Sequence, residues 1–437
     1  MRPAGALLRE QRVGRWRAFA LTWLAYAGFY FCRKNFSVAM PLLKSELGFT
    51  TDNLAWILFG YNLCYMLGQF GNGLAAGRWG PRAVVVAGMI GAVVANVLMG
   101  FSSGFGAFLV LASLHGYAQA TGWPGTCQIM ANWFRRRERG IVMAWWSTNY
   151  VLGGFLATLF ATWCVTTTVF FPDLGWRRGF WWPAIVFAVI ALIFWRGVQV
   201  TPAQAKIAPL PREESDDEPA DTSPDSRTNW ADLRPVFVNP AVWIAGGMYF
   251  FLKLTRYAFL FWLPVYLTEA LHYSMKNAGN TSAAYELFGI GGTLAAGYLS
   301  DRVFGSRRFP VGALMLFGLA ICCLAQPALA SLGLWGTVAG IALIGFMTYG
   351  PDTLMTGAAP MDMGTKKTAA AAVGIITGLG SAGQLMSSLV VAWVSQRFGW
   401  SALFHLFVGC ALVGGLLLLT QWNYGGRKTA APPLAAT

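Results

Sequence analysis

The segment YAGFYFCRKNFSVAMPLL, residues 26–43, carries a charged arginine inside an apolar stretch long enough to lie within a bilayer. A second such segment, GGMYFFLKLTRYAFLFWLP, occupies residues 246–264. In each segment a proline follows the arginine after eight residues, Pro41 after Arg33 and Pro264 after Arg256. Because an arginine keeps its charge, it is expected at membrane depth only beside a polar cavity or a partner. The repeat predicts one anion held by both arginines between two related domains.

The composition indicates a membrane protein with many spans. The chain has 437 residues, of which 56% are hydrophobic and 11% charged, and its mean hydropathy is +0.50. A soluble protein this apolar would expose large hydrophobic patches. With roughly 20 residues per span, the apolar stretches predict an all-α protein with twelve transmembrane helices. They cover residues 17–43, 52–76, 83–103, 106–133, 140–171, 179–199, 239–268, 279–300, 309–331, 334–360, 368–396 and 400–423.

The distribution of charge predicts the orientation of the chain. There are 32 Lys and Arg against 18 Asp and Glu, and the basic residues cluster at the termini and in alternate loops. That bias is typical of cytoplasmic segments and not of a nucleic-acid interface. It predicts two cytoplasmic termini in a multi-pass protein of the bacterial inner (plasma) membrane, expected to be a monomer. The basic N-terminus runs into the first span without a cleavable signal pattern, so we expect it to be retained.

A polar segment divides the chain into two parts. Residues 201–238 include PREESDDEPADTSPDSRTNW, whose Pro, Ser, Asp and Glu do not bury a core. We therefore predict an N-terminal six-helix half over residues 1–200, a cytoplasmic linker over 201–238 and a C-terminal six-helix half over 239–437. Such repeated halves are the plan of many transporters, whose substrate site lies at mid-membrane.

Two loops repeat in the corresponding places of these halves. GLAAGRWGPR follows the second span and GYLSDRVFGSRR follows the eighth. The second loop has Asp301 and Arg302, whereas the first has Arg78 preceded by Gly77 where the acid belongs. We interpret Arg78, Asp301 and Arg302 as gating residues. Asp352, which follows Gly-Pro on the tenth span, is interpreted as a helix-start or gating residue.

Several longer motifs resemble one known family. They are RKNFSVAMP (33–41), GWPGTCQIMANWFRRRERG (122–140), LTRYAFLFWLPVYL (254–267), YELFGIGGTLAAGYLSDRVFG (285–305) and YGPDTLMTGAAPMDMGTKKTAAAAVG (349–374). Together they resemble the major facilitator superfamily, and within it the organophosphate:inorganic phosphate antiporters. The resemblance implies the major facilitator fold and exchange of a phosphorylated organic anion for inorganic phosphate by alternating access.

The resemblance also implies which residues bind the substrate. The family's paired arginines, which hold the phosphoryl group, match Arg33 and Arg256. Its site tyrosines and its eighth-helix acid match a further four positions, which are Tyr26, Tyr30, Tyr65 and Glu286.

Three positions depart from the glycerol-phosphate members of the family. A lysine of the second helix falls at Gln69, a histidine of the fifth falls at Asn149, and an additional lysine appears at Lys253. Because the positive charge is displaced within the pocket, glycerol 3-phosphate is a poor first guess and a sugar phosphate is preferred. Lys253 lies three residues before Arg256, so the two share a helix face.

The remaining polar residues of the spans leave alternatives open. Glu286 is expected to pair with Arg256 or Lys253, to accept a substrate hydroxyl, or to be a structural acid. Lys34 is expected either to pair with an acid or to extend toward the membrane surface. His115 and Gln119, four residues apart, either face the cavity or pack in the core.

The sequence thus predicts a transporter whose partners are a phosphorylated substrate, inorganic phosphate and the lipid bilayer. No nucleophile triad, phosphate-binding glycine loop or metal-ligand spacing is present, so no enzyme activity, metal or other cofactor is expected. Two alternatives stay open. One is a membrane sensor of extracellular sugar phosphate with the same fold, and the other is a facilitator for another anion such as a carboxylate.

Overall fold

A computed structural model describes residues 4–134, 142–143, 145–169, 171–207, 234, 237–358 and 369–424. Within these ranges the regular secondary structure is helical and no strand occurs. Thirteen α-helices have described bounds. They are α1 (Ala4–Leu47), α2 (Thr51–Trp79), α3 (Pro81–Phe101), α4 (Phe105–Gln119), α5 (Gly122–Trp133), α6 (Thr148–Thr166), α7 (Arg178–Gly197), α8 (Pro240–Glu269), α9 (Met275–Tyr298), α10 (Arg308–Ser331), α11 (Leu334–Thr353), α12 (Ala369–Phe398) and α13 (Trp400–Leu419).

Each of the twelve predicted spans coincides with one helix, except that the fourth is formed by α4 and α5 in succession. The predicted all-α fold is confirmed. Eight of the described helices are long and apolar enough to cross a membrane by length and composition. The first, second, fourth and eighth spans are not among the eight. The fourth span is divided into two helices of 15 and 12 residues, each too short to cross a membrane. The other three contain Arg33, Tyr65 and Glu286, so candidate site residues contribute to their polarity.

Local sequence signals set the ends of these helices. α1 ends before Gly48, whose φ of +68° lies in the region that glycine adopts without strain. Thr50 then caps α2, because its side chain accepts a hydrogen bond from the Asn53 amide while the Asn53 side chain accepts one from the Thr50 amide. α9 and α11 each continue into a single π-helical turn, Leu299–Val303 and Leu354–Ala358. Such turns occur frequently at functional sites.

Glycines allow the closest helix crossings in corresponding places of the sequence. A Cβ on Gly116 of α4 would lie 2.2 Å from the Tyr61 carbonyl oxygen of α2. A Cβ on Gly292 of α9 would lie 1.9 Å from the Phe346 carbonyl oxygen of α11. Any side chain at either position would force the backbones apart. The second and fourth spans therefore approach each other as the eighth and tenth do, which agrees with the predicted internal repeat.

The chain forms two compact units. Unit 1 comprises Met1–Ser226, Tyr257–Leu287 and Leu385–Trp400, and unit 2 comprises Arg227–Arg256, Phe288–Gln384 and Ser401–Thr437. Unit 1 thus includes parts of α8, α9 and α12, which the sequence analysis assigned to the C-terminal half. Hydrogen bonds such as Gln396 Nε2 to Asp52 Oδ1 (2.7 Å) hold these parts to the first spans. The predicted linker lies mostly outside the described residues, and the division of the chain at 201–238 stays a prediction.

Candidate functional site

Arg33 lies in unit 1, and its partners among the described residues are neutral. Its Nη2 donates to Gln119 Oε1 at 3.1 Å, and its guanidinium carbon lies 4.8 Å and 5.0 Å from the ring centres of Tyr30 and Tyr65. The residue is 6% exposed. Among the described residues its buried Nε has no hydrogen-bond partner. A buried guanidinium without a carboxylate, with a donor still available, is suited to bind an anion.

A buried polar network fixes the Gln119 side chain. Gln119 Nε2 donates to the Phe29 carbonyl at 3.0 Å and lies 2.9 Å from His115 Nε2. Asn96 Nδ2 lies 3.2 Å from the same His115 nitrogen. Because two amide nitrogens donate toward Nε2, this nitrogen must be the acceptor and the imidazole is neutral with its proton on Nδ1. The Gln119 oxygen is therefore directed at Arg33. Gln119 therefore contributes to the site through Arg33.

A cavity adjoins Arg33 within unit 1. Its polar lining comes from Arg33, Tyr61 and His115, and the rest of the lining is apolar, formed by Phe36, Ile57, Leu58, Met99, Ala112 and Phe261. Low polarity around a cation strengthens its attraction for an anion.

Lys34, the residue after Arg33, forms a buried ion pair with Glu286. Lys34 Nζ lies 3.0 Å from Glu286 Oε1, and the side chains are 3% and 1% exposed. The same Nζ donates to the Leu260 carbonyl at 2.9 Å, and Ser37 Oγ donates to the Phe261 carbonyl at 2.6 Å. Of the two alternatives left open for Lys34, the structure shows pairing with an acid. The structure thus gives Glu286 an ion pair with Lys34, a partner that the sequence analysis did not name for it.

Arg256 lies in unit 2 and is paired with a carboxylate. Its Nη1 lies 2.8 Å from Asp352 Oδ2, and its guanidinium carbon lies 4.6 Å from the Tyr349 ring centre. Tyr249 donates its hydroxyl to the other oxygen, Asp352 Oδ1, at 3.0 Å. Lys253 Nζ lies 5.2 Å from the Tyr249 ring centre and 3.4 Å from Gln384 Oε1. The sequence analysis assigned Asp352 a helix-start or gating role and did not indicate this ion pair.

The other candidates of unit 1 differ in their surroundings. Tyr26 is buried, with its ring 6.0 Å from that of Tyr30 and 5.1 Å from that of Trp123. Gln69 is half-buried on α2. Asn149 is fully buried, and both polar atoms of its side chain are without a hydrogen-bond partner in the described part of the chain. A buried amide with this many open positions is suited to a polar ligand or water.

The three other gating candidates, Arg78, Asp301 and Arg302, have different surroundings from Asp352. Asp301 accepts a hydrogen bond from Arg308 Nη1 in an ion pair, on the π-helical turn that follows α9. Arg302 is exposed on the same turn. Arg78 is also exposed, with its guanidinium 5.9 Å from the Trp79 ring centre.

Sequence reasoning missed several residues of these clusters. Tyr249 precedes Lys253 by four residues and Arg256 by seven, a spacing that predicts one helix face and was a usable signal. Asn35 and Asn96 are polar residues in apolar spans, and Asn35 Nδ2 donates to Asn96 Oδ1 at 2.7 Å. Their pairing depends on the packing of α1 against α3, for which the sequence has no signal.

Comparison with known proteins identifies the family. The profile of the Major Facilitator Superfamily matches residues 22–360 and 278–434. The chain is 29% identical to a probable hexose phosphate transport protein of Chlamydia trachomatis, covering 95% of this chain and 92% of that one. It is 30% identical to a glycerol-3-phosphate transporter of Bacillus subtilis, covering 94% and 93%, and 26% identical to the membrane sensor protein UhpC of Salmonella typhimurium, covering 95% and 93%.

Solved structures agree on the fold. A bacterial homologue of the human lysosomal transporter Spinster, inward-facing and unoccupied, superposes with a TM-score of 0.70 at 16% identity, covering 93% of this chain and 95% of that one. At this identity the likeness shows the fold alone. With the profile match and the relatives, it follows that the chain belongs to the Major Facilitator Superfamily and, within it, to the organophosphate:inorganic phosphate antiporter family.

Proposed function

We propose that the protein exchanges a phosphorylated organic anion, a sugar phosphate in preference to glycerol 3-phosphate, for inorganic phosphate by alternating access. The observation that carries the proposal is Arg33, a buried guanidinium with neutral partners and an open Nε donor. Phosphate oxygens match the planar donor array of a guanidinium. The names of the Chlamydia and Bacillus relatives support a phosphorylated substrate.

We assign the substrate contacts as follows. Arg33 and Arg256 bind the phosphoryl group, and the half-buried Tyr65 and the buried Tyr30 hold the Arg33 guanidinium by cation–π contacts. Asn149 offers its open amide to a sugar hydroxyl. Tyr26, Gln69 and Glu286 complete the binding set. Because a fixed buried cation such as Arg33 is unfavourable without an anion, the occupied carrier reorients more readily than the empty one, which makes exchange obligatory.

We further propose that the protein is a monomer of the bacterial inner membrane with both termini in the cytoplasm. The support is the concentration of Lys and Arg at the termini and in alternate loops. No catalytic chemistry is assigned to it.

Counterflow in proteoliposomes tests the proposed function. Purified protein is reconstituted with inorganic phosphate inside, and uptake of labelled phosphate and of glucose 6-phosphate is measured. Exchange that requires internal phosphate is expected. Binding of a sugar phosphate without flux would instead establish a sensor, the alternative that the likeness to the Salmonella sensor favours. Flux of a carboxylate in preference to phosphate esters would establish a facilitator for another anion.

Asp301→Asn is expected to slow exchange and to change substrate affinity by no more than a few-fold. Asp301 pairs with Arg308 beyond the end of α9, at a turn that also carries Arg302, and it lies outside the binding clusters. Removing its charge weakens one conformation of this turn without touching the substrate. The maximal exchange rate and the half-saturating phosphate concentration separate the two effects. A large loss of affinity at normal turnover would contradict the gating assignment.

Lys253→Met is expected to weaken substrates with a second anionic group by about 1–3 kcal/mol, the scale of a charged hydrogen bond. Lys253 lies one turn before Arg256, and its Nζ lies 3.4 Å from Gln384 Oε1. Inorganic phosphate should change much less, because it uses the arginines. Competition by a sugar bisphosphate and by a sugar monophosphate gives the comparison. Equal loss for every ligand would place Lys253 in the general phosphate site, and no loss would make it structural.

A further inference from the structure

The two arginines assigned to the phosphoryl group have partners of different charge. Arg33 donates to the neutral oxygen of Gln119, whereas Arg256 is ion-paired with Asp352. The Arg256 and Asp352 side chains are 10% and 4% exposed, so the pair is buried. A buried carboxylate at the guanidinium occupies donors that an incoming phosphoryl group needs.

The geometry allows the anionic partner of Arg256 to be replaced without moving the guanidinium. The Tyr349 ring lies 4.6 Å from the guanidinium carbon and is a contact that is independent of Asp352. Asp352 has its own second support, because Tyr249 donates to Oδ1 at 3.0 Å. Asp352 therefore retains a hydrogen bond when it leaves Arg256. It also lies directly before the π-helical turn Leu354–Ala358, where the helix geometry changes.

We propose that Asp352 is a resident counter-ion that competes with the transported anion for Arg256. The inference rests on the proposed function. In the empty protein Asp352 compensates the buried charge of Arg256, which would otherwise be costly. A phosphoryl dianion forms stronger charge-assisted bonds than one carboxylate and displaces it. A monocarboxylate ligand only exchanges one carboxylate for another, so its net gain on displacing Asp352 is small.

The free-energy relation between folding and binding makes the inference testable. Asp352→Asn removes the carboxylate that lies 2.8 Å from Arg256 Nη1, which destabilises the empty protein. A bound anion compensates the charge of Arg256 again. The stability that the empty variant loses is therefore regained on binding, and the variant binds the anion more tightly. We expect inorganic phosphate to bind about 10-fold more tightly. This is the lower end of the effect that one opposite charge has on a neighbouring charged group, here that of Asp352 on Arg256. Lactate should gain by a similar factor, because it too no longer has to displace a carboxylate.

The experiment uses the full chain, purified in detergent, with labelled phosphate for binding and thermal melting for stability. Without ligand, the melting temperature of Asp352→Asn should be lower than that of the wild type, and phosphate should raise it by more. Tyr249→Phe keeps the ion pair but removes one support of Asp352. It should weaken phosphate binding several-fold, because a displaced Asp352 then lacks a hydrogen bond to its charged carboxylate. Asp173→Asn, at an exposed carboxylate outside both clusters, is the matched control and should change neither quantity.

The outcomes separate this inference from the proposed function. If the wild type binds phosphate and folded Asp352→Asn binds it equally or more weakly, Asp352 is not a competitor and the inference fails alone. If Asp352→Asn does not fold, Tyr249→Phe decides, and an unchanged affinity overturns the inference. Weaker sugar phosphate binding with unchanged phosphate binding would make Asp352 an acceptor for substrate hydroxyls. If the wild type binds no phosphate, both fail.

Discussion

Replacing Arg33 by lysine is expected to abolish phosphate exchange, although lysine keeps the positive charge. We expect exchange to fall by about 100-fold or more, which corresponds to the loss of roughly 3 kcal/mol of charged hydrogen bonding. The Arg33 guanidinium lies against two tyrosine rings and donates to Gln119, and its Nε remains open. An ammonium is a point charge that cannot keep these contacts and also offer a planar pair of donors.

Counterflow of labelled phosphate measures this effect, and Arg256→Lys should behave in the same way. The matched control is Arg397→Lys. Arg397 is exposed near the end of α12 and also lies over an aromatic ring, 5.6 Å from the Trp393 ring centre. It should exchange as the wild type does. The melting temperature of each variant establishes that the protein is folded. Near-normal exchange by Arg33→Lys or Arg256→Lys would show that point charges suffice and that the guanidinium geometry is not used.

The sequence predicted the features that depend on a single helix. Long apolar stretches gave the twelve spans, and Gly122 followed by Pro124 coincides with the break between α4 and α5. Proline near the start of a helix lacks only a donor that is unsatisfied there in any case. Arg33 and Arg256 were also evident, because a charge inside an apolar span is conspicuous without knowledge of the fold.

The partners of these charges were not predictable. Glu286 pairs with Lys34 across 252 residues of sequence, and Asp352 pairs with Arg256 across 96. Helical spacing determines which residues of the same helix are neighbours. It contains no information on which helix packs beside it or at what height. The sequence therefore identified Glu286 and Asp352 as candidate functional acids, but it did not identify the ion pairs that they form.

Neutralising one member of the Lys34–Glu286 pair is expected to destabilise the protein strongly, and neutralising both is expected to restore much of the loss. Glu286→Gln leaves a buried ammonium, and Lys34→Met leaves a buried carboxylate. Breaking a buried pair in this way costs about 3–5 kcal/mol, whereas replacing the whole pair by neutral groups is often nearly neutral. The pair is 3% and 1% exposed, so water offers little compensation to the remaining charge.

A double-mutant cycle with Lys34→Met and Glu286→Gln measures the coupling through melting temperature in detergent. The ion pair of Lys44 with Glu269 provides a matched control. It also joins α1 to another helix within unit 1, here α8, but its side chains are 22% and 33% exposed. Their cycle should give a coupling of about 1 kcal/mol or less, as is usual for exposed pairs. If the losses at Lys34 and Glu286 simply add, the two charges do not depend on each other.

The same cycle separates stability from transport. Lys34 joins α1 to Glu286 of α9 and to the Leu260 carbonyl of α8, so it connects helices from both parts of the sequence within unit 1. Alternating access requires contacts of this kind to form and to break in every cycle. In the double variant, the neutral side chains still pack as Lys34 and Glu286 do here, but the charge attraction that favours this arrangement is lost. We therefore expect the double variant to regain its melting temperature while its exchange stays below that of the wild type. Full recovery of exchange together with stability would assign the pair to folding alone and leave the movement to other contacts.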